Sequence, residues 1–189
     1  MKQRHDAAAG FSLAELAMVL AVAGVLLALA APDLGMTIRR LQLKSASADL
    51  FAALGVARSQ AMARGELVKL QPRDGNGADW RSGWRVFIDR DGDGQPGASD
   101  TLIAEHGPLP DGLAVAFAFT SPAPPYYIAY NGAGRSCGAT NSAQARYGTL
   151  SLFHGGAIRR IKINMLGRAR LCDPARDATC EGAQAPPGG

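Results

Sequence analysis

The chain starts polar and turns apolar at Phe11. Across the 21 residues from Phe11 to Ala31, Glu15 is the only charge, and Leu16–Ala31 holds only Leu, Ala, Val, Met and Gly. About 20 helical residues cross a hydrocarbon core of about 30 Å, so this spacing predicts a transmembrane helix over 11–31. Lys2, Arg4 and His5 precede it. A basic flank stays cytoplasmic, which places everything after Pro32 outside the inner membrane. A charge at mid-bilayer costs about 2.5–3.5 kcal/mol, so an acid retained inside such a segment marks a function.

Proline lacks the N–H that continues a helical ladder, so a kink is expected at Pro32. The helical pattern then resumes: Leu43, Ser47, Leu50, Leu54, Ala57 and Ala61 recur at spacings of three and four, with Arg39, Arg40, Lys44, Asp49 and Arg58 largely off that stripe. Gly65 after Arg64 is a left-handed cap with a cation in the last turn. Beyond it come short β-like runs broken by Gly, Pro and Asp: 67–71, 83–89, 101–105, 113–119, 126–130, 149–154, 157–164 and 168–172. The predicted class is α+β: a long N-terminal helix, half membrane and half amphipathic, packed on one antiparallel β domain. The expected division is a leader over 1–10, the helix over 11–64, the β domain over 65–181, and a flexible Gly/Pro/Ala/Gln tail over 182–189.

Gly10-Phe11-Ser12-Leu13-Ala14-Glu15, the short basic leader and the closing Pro32 resemble the N-terminus of a type IV pilin or pseudopilin, over about the first 60 residues. Ala14 and Ala17 stand where that family has bulkier apolar residues. The resemblance implies cleavage after Gly10 by a prepilin peptidase, methylation of Phe11, and a role for Glu15 in filament assembly, neutralising a neighbouring subunit's N-terminal amine. Such pairing makes a buried carboxylate tolerable. Gly83-Trp84 followed by an apolar strand and Asp89-Arg-Asp91-Gly-Asp93-Gly94 is similar to the FimT/GspH group of minor pilins and pseudopilins, which extends the likeness over most of the chain. The competing reading is a secretory signal peptide: Ala28-Leu29-Ala30 satisfies the small-residue rule, and cleavage before Ala31 would release a soluble periplasmic binding module.

Charge is unevenly placed. The whole chain carries +4, and the leader, with Lys2 and Arg4 against Asp6, accounts for +1 of it. Residues 135–176 hold eight cations (Arg135, Arg146, Arg159, Arg160, Lys162, Arg168, Arg170 and Arg176) against Asp173 alone, net +7. The rest of the chain after the leader is therefore net −4, so the basicity is a patch, as polyanion binding requires. In a strand Arg160, Lys162 and Asn164 share one face, opposite Ile161, Ile163 and Met165. After a turn at Leu166-Gly167, Arg168 and Arg170 alternate with Ala169 and Leu171. A hairpin thus displays cations on one face, and like charges facing across strands call for an anion between them. Gly167-Arg168-Ala169-Arg170 resembles the Gly-Arg-x-Arg element of FimT-like minor pilins, which are linked to DNA binding in natural transformation. The resemblance implicates Arg168 and Arg170, and strand geometry adds Arg160, Lys162 and Arg159. Binding would run through the phosphates of double-stranded DNA with little regard to sequence. The alternatives are an acidic partner subunit, anionic lipid headgroups, or a solvated edge guarded by cations.

Outside the inner membrane Cys172 and Cys180 are expected to form a disulfide, with Cys137–Cys172 as the alternative and one thiol left over. Asp89, Asp91 and Asp93 alternate, Gly94 follows, and Asp100 falls twelfth, which is a calcium-loop spacing. Against that, the twelfth residue is not Glu and a strand precedes the loop; Asp and Gly also simply make a good turn. His106 and His154 lack a nucleophile motif, and Gly132-Ala-Gly134 is too short to cradle phosphate, so no enzyme is expected and no cofactor beyond possible calcium. The expected function is a minor type IV pilin, FimT-like, moving from the inner membrane to a pilus with other pilin subunits. The runner-up is a GspH-like minor pseudopilin of type II secretion.

Overall fold

The structure is a computed structural model that describes residues 12–121 and 123–187, with the backbone alone over 27–33. The chain divides into two units, one up to Ile38 and the other from Arg39 to Gly189. Helix α1, Leu13–Arg64, is assigned without a break through Pro32. In the first unit its large described apolar side chains, among them Leu16, Val19, Leu20 and Val25, are exposed. No window among the described residues is long and apolar enough to cross a membrane; Phe11 and the side chains of 27–33, part of the expected span, lie outside them.

In the second unit the stripe does what its spacing predicts. Leu43, Ser47, Leu50, Leu54, Ala57 and Ala61 are all buried, joined by Ala46 and Ala53. The helix stops at Gly65, whose φ of 69° and N–H to the Ala61 carbonyl at 2.9 Å form the expected left-handed cap.

Among the described residues nine strands follow: β1 (Val68–Pro72), β2 (Trp84–Ile88), β3 (Thr101–His106), β4 (Ala114–Phe119), β5 (Ile128–Tyr130), β6 (Ser136–Cys137), β7 (Gly148–His154), β8 (Ala157–Ile163) and β9 (Ala169–Cys172). They form two antiparallel sheets, ordered β3-β2-β1-β5-β6 and β4-β7-β8-β9. Leu50 and Leu54 of the helix, Leu70 and Val86 of the first sheet, and Leu150 and Ile161 of the second share one core. The sheets meet again where Trp80, in a single 3-10 turn over Trp80–Ser82, stacks on Phe117 of β4. β1 is buried on both faces. Its outer face carries Lys69 and Gln71, which the 89–100 loop covers: Lys69 pairs with Asp89, and Gln71 donates to the Gly94 carbonyl at 2.8 Å.

The tail does not begin free of the sheets. Gly182 lies against Ser151 and Arg160, and the Ala183 carbonyl accepts from Arg160 at 2.7 Å.

Candidate functional site

The basic hairpin forms as the alternation predicts. β8 and β9 pair with Lys162 opposite Arg170 and Arg160 opposite Cys172, while Ile161 and Ile163 enter the core. Asn164 shapes the turn: its Oδ1 accepts from the Leu166 and Arg168 amides, both at 3.0 Å. Its side chain thus serves the turn rather than the cationic face. Gly167 has φ 76°, and a Cβ there would stand 2.4 Å from the Gly134 carbonyl oxygen. The glycine of Gly-Arg-x-Arg is therefore demanded by both backbone angle and space. Beside the turn lies an open groove of about 450 Å³, lined by Tyr147, Thr149, Lys162, Asn164, Arg168 and Arg170 among others.

The predicted cations differ in what they touch. Arg168 is exposed, and among the described residues its side chain has no partner. Arg170 is exposed but pairs with Asp177 at 2.7 Å, Lys162 donates to the Thr179 carbonyl at 3.0 Å, and Arg159 pairs with Asp173 at 3.3 Å. Arg160 departs from expectation. It shares the predicted face, yet it is 1% exposed, with its guanidinium donating to the Cys180 and Ala183 carbonyls. Period two fixes a side chain's face but not what later lies over that face. Arg146 also leaves the patch: it is buried over the Tyr127 ring at 4.1 Å and donates to the Ser121 carbonyl.

Two residues join the site: Arg135, counted in the basic stretch but not placed on the hairpin, and Tyr147, which local pattern does not single out. The segment around Arg135, itself exposed, abuts the hairpin turn, since Gly134 and Ser136 are the atoms nearest Gly167. Tyr147, 44% exposed, lines the groove with an aromatic face. Only long-range pairing brings either to the hairpin.

At the other end, Gly10 and Phe11 lie outside the described residues. Glu15 closes a capping box: its carboxylate accepts from the Ser12 amide at 2.9 Å, and its own amide donates to Ser12 Oγ at 3.2 Å. The Ser-x-x-Glu spacing is a readable signal for this cap, separate from any role in assembly.

The family model described as type II transport protein GspH matches residues 46–167, about two thirds of the chain. The chain belongs to the GspH family. Its fold is pilin-like. It resembles crystal structures of the type IV minor pilin FimU of Pseudomonas aeruginosa at 20% identity and a TM-score of 0.52, over 72% of this chain and 92% of that one. The minor pseudopilin EpsH from the type 2 secretion system of Vibrio cholerae aligns at 18% identity and a TM-score of 0.48, over 70% of this chain and 98% of that one. No curated protein matches.

In this GspH-family chain Cys172 and Cys180 are bonded, with Cα atoms 5.9 Å apart, and close a loop at the end of β9. Cys137 is buried and unpaired, and burial pushes its thiol up. A buried, weakly acidic thiol is a poor nucleophile.

The carboxylates of Asp89, Asp91, Asp93 and Asp100 do converge, with one oxygen of each within 4.8 Å of the others. They are already engaged. Asp89, whose side chain is fully buried, holds Lys69 and accepts from the Gly92 and Gly94 amides. Asp91 accepts from Ser99 Oγ at 2.6 Å and is held below the ordinary carboxylate range by that bond first. Asp93 takes the Gln95 amide, and Asp100 takes those of Arg90 and Gly97. Asp89 thus pairs with Lys69, while the other three acids accept from the loop's own amides and from Ser99.

Proposed function

We propose that this chain is a minor pilin that enters a pilus through its N-terminal helix and offers the β8–β9 hairpin to DNA. In this reading it is inserted in the inner membrane, cut after Gly10, and methylated at Phe11. Glu15 then pairs with a neighbour's N-terminal amine. The family supplies the assembly with other pilin subunits. The observation that carries the DNA reading is Arg168: an exposed guanidinium, unpartnered among the described residues, on a tight glycine turn beside a groove that also holds Lys162, Arg170 and Tyr147. A groove of this kind takes backbone phosphates without reading base sequence.

The test uses the full-length chain in detergent with short duplex DNA, measured by anisotropy across salt concentrations. Replacing Arg168 and Arg170 by Ala should weaken binding and make the log–log salt slope shallower by about 0.9 per lost phosphate contact. An unchanged slope would assign the patch to a partner subunit or to solvent. The description of the matching family favours a second reading, a minor pseudopilin of type II secretion. A strain lacking the chain separates the two: loss of transformation supports the pilus, loss of exported protein the secretion system.

A further inference from the structure

Lys162 and Arg170 face each other directly across β8 and β9. Two cations in that register repel unless something negative lies between them. The chain itself supplies it. The Thr179 carbonyl accepts from Lys162 Nζ at 3.0 Å and from an Arg170 guanidinium nitrogen at 3.3 Å, and Thr179 Oγ1 accepts from the same nitrogen at 3.1 Å. Asp177 takes Arg170's other terminal nitrogen at 2.7 Å. Further along, Asp173 takes Arg159, and the Cys180 and Ala183 carbonyls take Arg160. The hydroxyl and amide of Thr179, then Arg170, hold the Asp177 carboxyl below the ordinary carboxylate range, so it stays ionised near neutrality. The Cys172–Cys180 disulfide returns this segment to the edge of the hairpin.

We propose that residues 173–183 are a built-in competitor for the polyanion, lying on the cationic face of the hairpin and giving up Arg170 and Lys162 when a phosphate backbone arrives. This rests on the reading of the hairpin as a polyanion seat. Encounter begins at Arg168 and Arg135, both exposed and without a side-chain partner among the described residues. The rim then yields. The Arg170–Asp177 pair is half open to water, with side chains 50% and 31% exposed, and an exposed pair is held weakly. A polyanion that releases counterions as it binds outcompetes such a contact. The root stays, because Arg160 is buried and grips the chain at Cys180 and Ala183. The segment thereby hides positive surface from stray anions while leaving Arg168 and Arg135 out to catch a nucleic acid.

The experiment is DNA affinity of the full-length chain in detergent at fixed salt. Asp177→Asn keeps an oxygen for the Thr179 amide while losing the charge; Asp173→Asn is a second variant on the same segment, acting through Arg159. Asp111→Asn changes net charge equally at an exposed site with no ion pair among the described residues. Asp177→Asn should bind roughly two- to fivefold tighter than the unaltered chain, and Asp173→Asn should shift the same way. Asp111→Asn should gain less than either. Suppose the unaltered chain binds and Arg168→Ala weakens it, yet neither variant exceeds Asp111→Asn. The seat then stands and the competitor is overturned. If no form binds DNA, the seat itself fails and the competitor with it.

Discussion

Lys69 and Asp89 show how a single residue sets what a loop can do. The lysine side chain is 6% exposed and the carboxylate fully buried, so each sits in a dry place and depends on the other. Removing one partner of such a pair leaves the second uncompensated, at a cost of about 3–5 kcal/mol. Lys69→Met should therefore lower stability by that order, read as a fall in the urea midpoint with an unchanged m-value. The same pairing already engages one acid of the calcium-loop spacing. Alternate aspartates and a glycine were legible, but the cation that pairs with Asp89 comes from β1, some twenty residues upstream, and no local pattern announces it.

At the scale of elements, the helix stripe, its glycine cap and most strands follow from alternation and turn residues, and observed ends differ from expected ones by one or two positions. The exceptions have physical causes. β6 is two residues long and exists because β5 offers it an edge, which leaves no periodicity to find. The hairpin was legible as alternating charge, yet a count that stops at Arg176 misses Asp177, and no spacing says that the following residues fold back. Arg160 was assigned to the right face and the wrong environment for that reason. Gly167 is the element's pivot. Gly167→Ala would force a Cβ against the Gly134 carbonyl at positive φ, so it should cost more than about 1 kcal/mol. DNA affinity should fall with it even though no cation is removed; unaltered melting temperature and affinity would show that the turn can shift.

For the molecule as a whole, the two units divide the work. The second holds the core, the disulfide and the cationic groove, while the first presents apolar side chains outward. Such a surface needs lipid or other subunits around it. Glu15 lies in that first unit, and in the single chain its carboxylate caps its own helix. Pairing with a neighbour's amine would draw on the same oxygens, so capping and assembly compete or share. Glu15→Gln retains a side-chain acceptor for the Ser12 amide but not the charge. It should leave the chain inserted and folded while reducing its recovery in sheared filaments; normal recovery would remove the charge from the assembly step.

The burial of Lys69 has a practical side. Lysine occurs at only four positions, Lys2, Lys44, Lys69 and Lys162. An acylating reagent finds Lys69 sealed, Lys44 exposed on α1, and Lys162 tethered to the Thr179 carbonyl. The ratio of label at Lys162 to label at Lys44, read by mass spectrometry of intact cells, would track the tail on the hairpin without a reporter fused to either end of the chain.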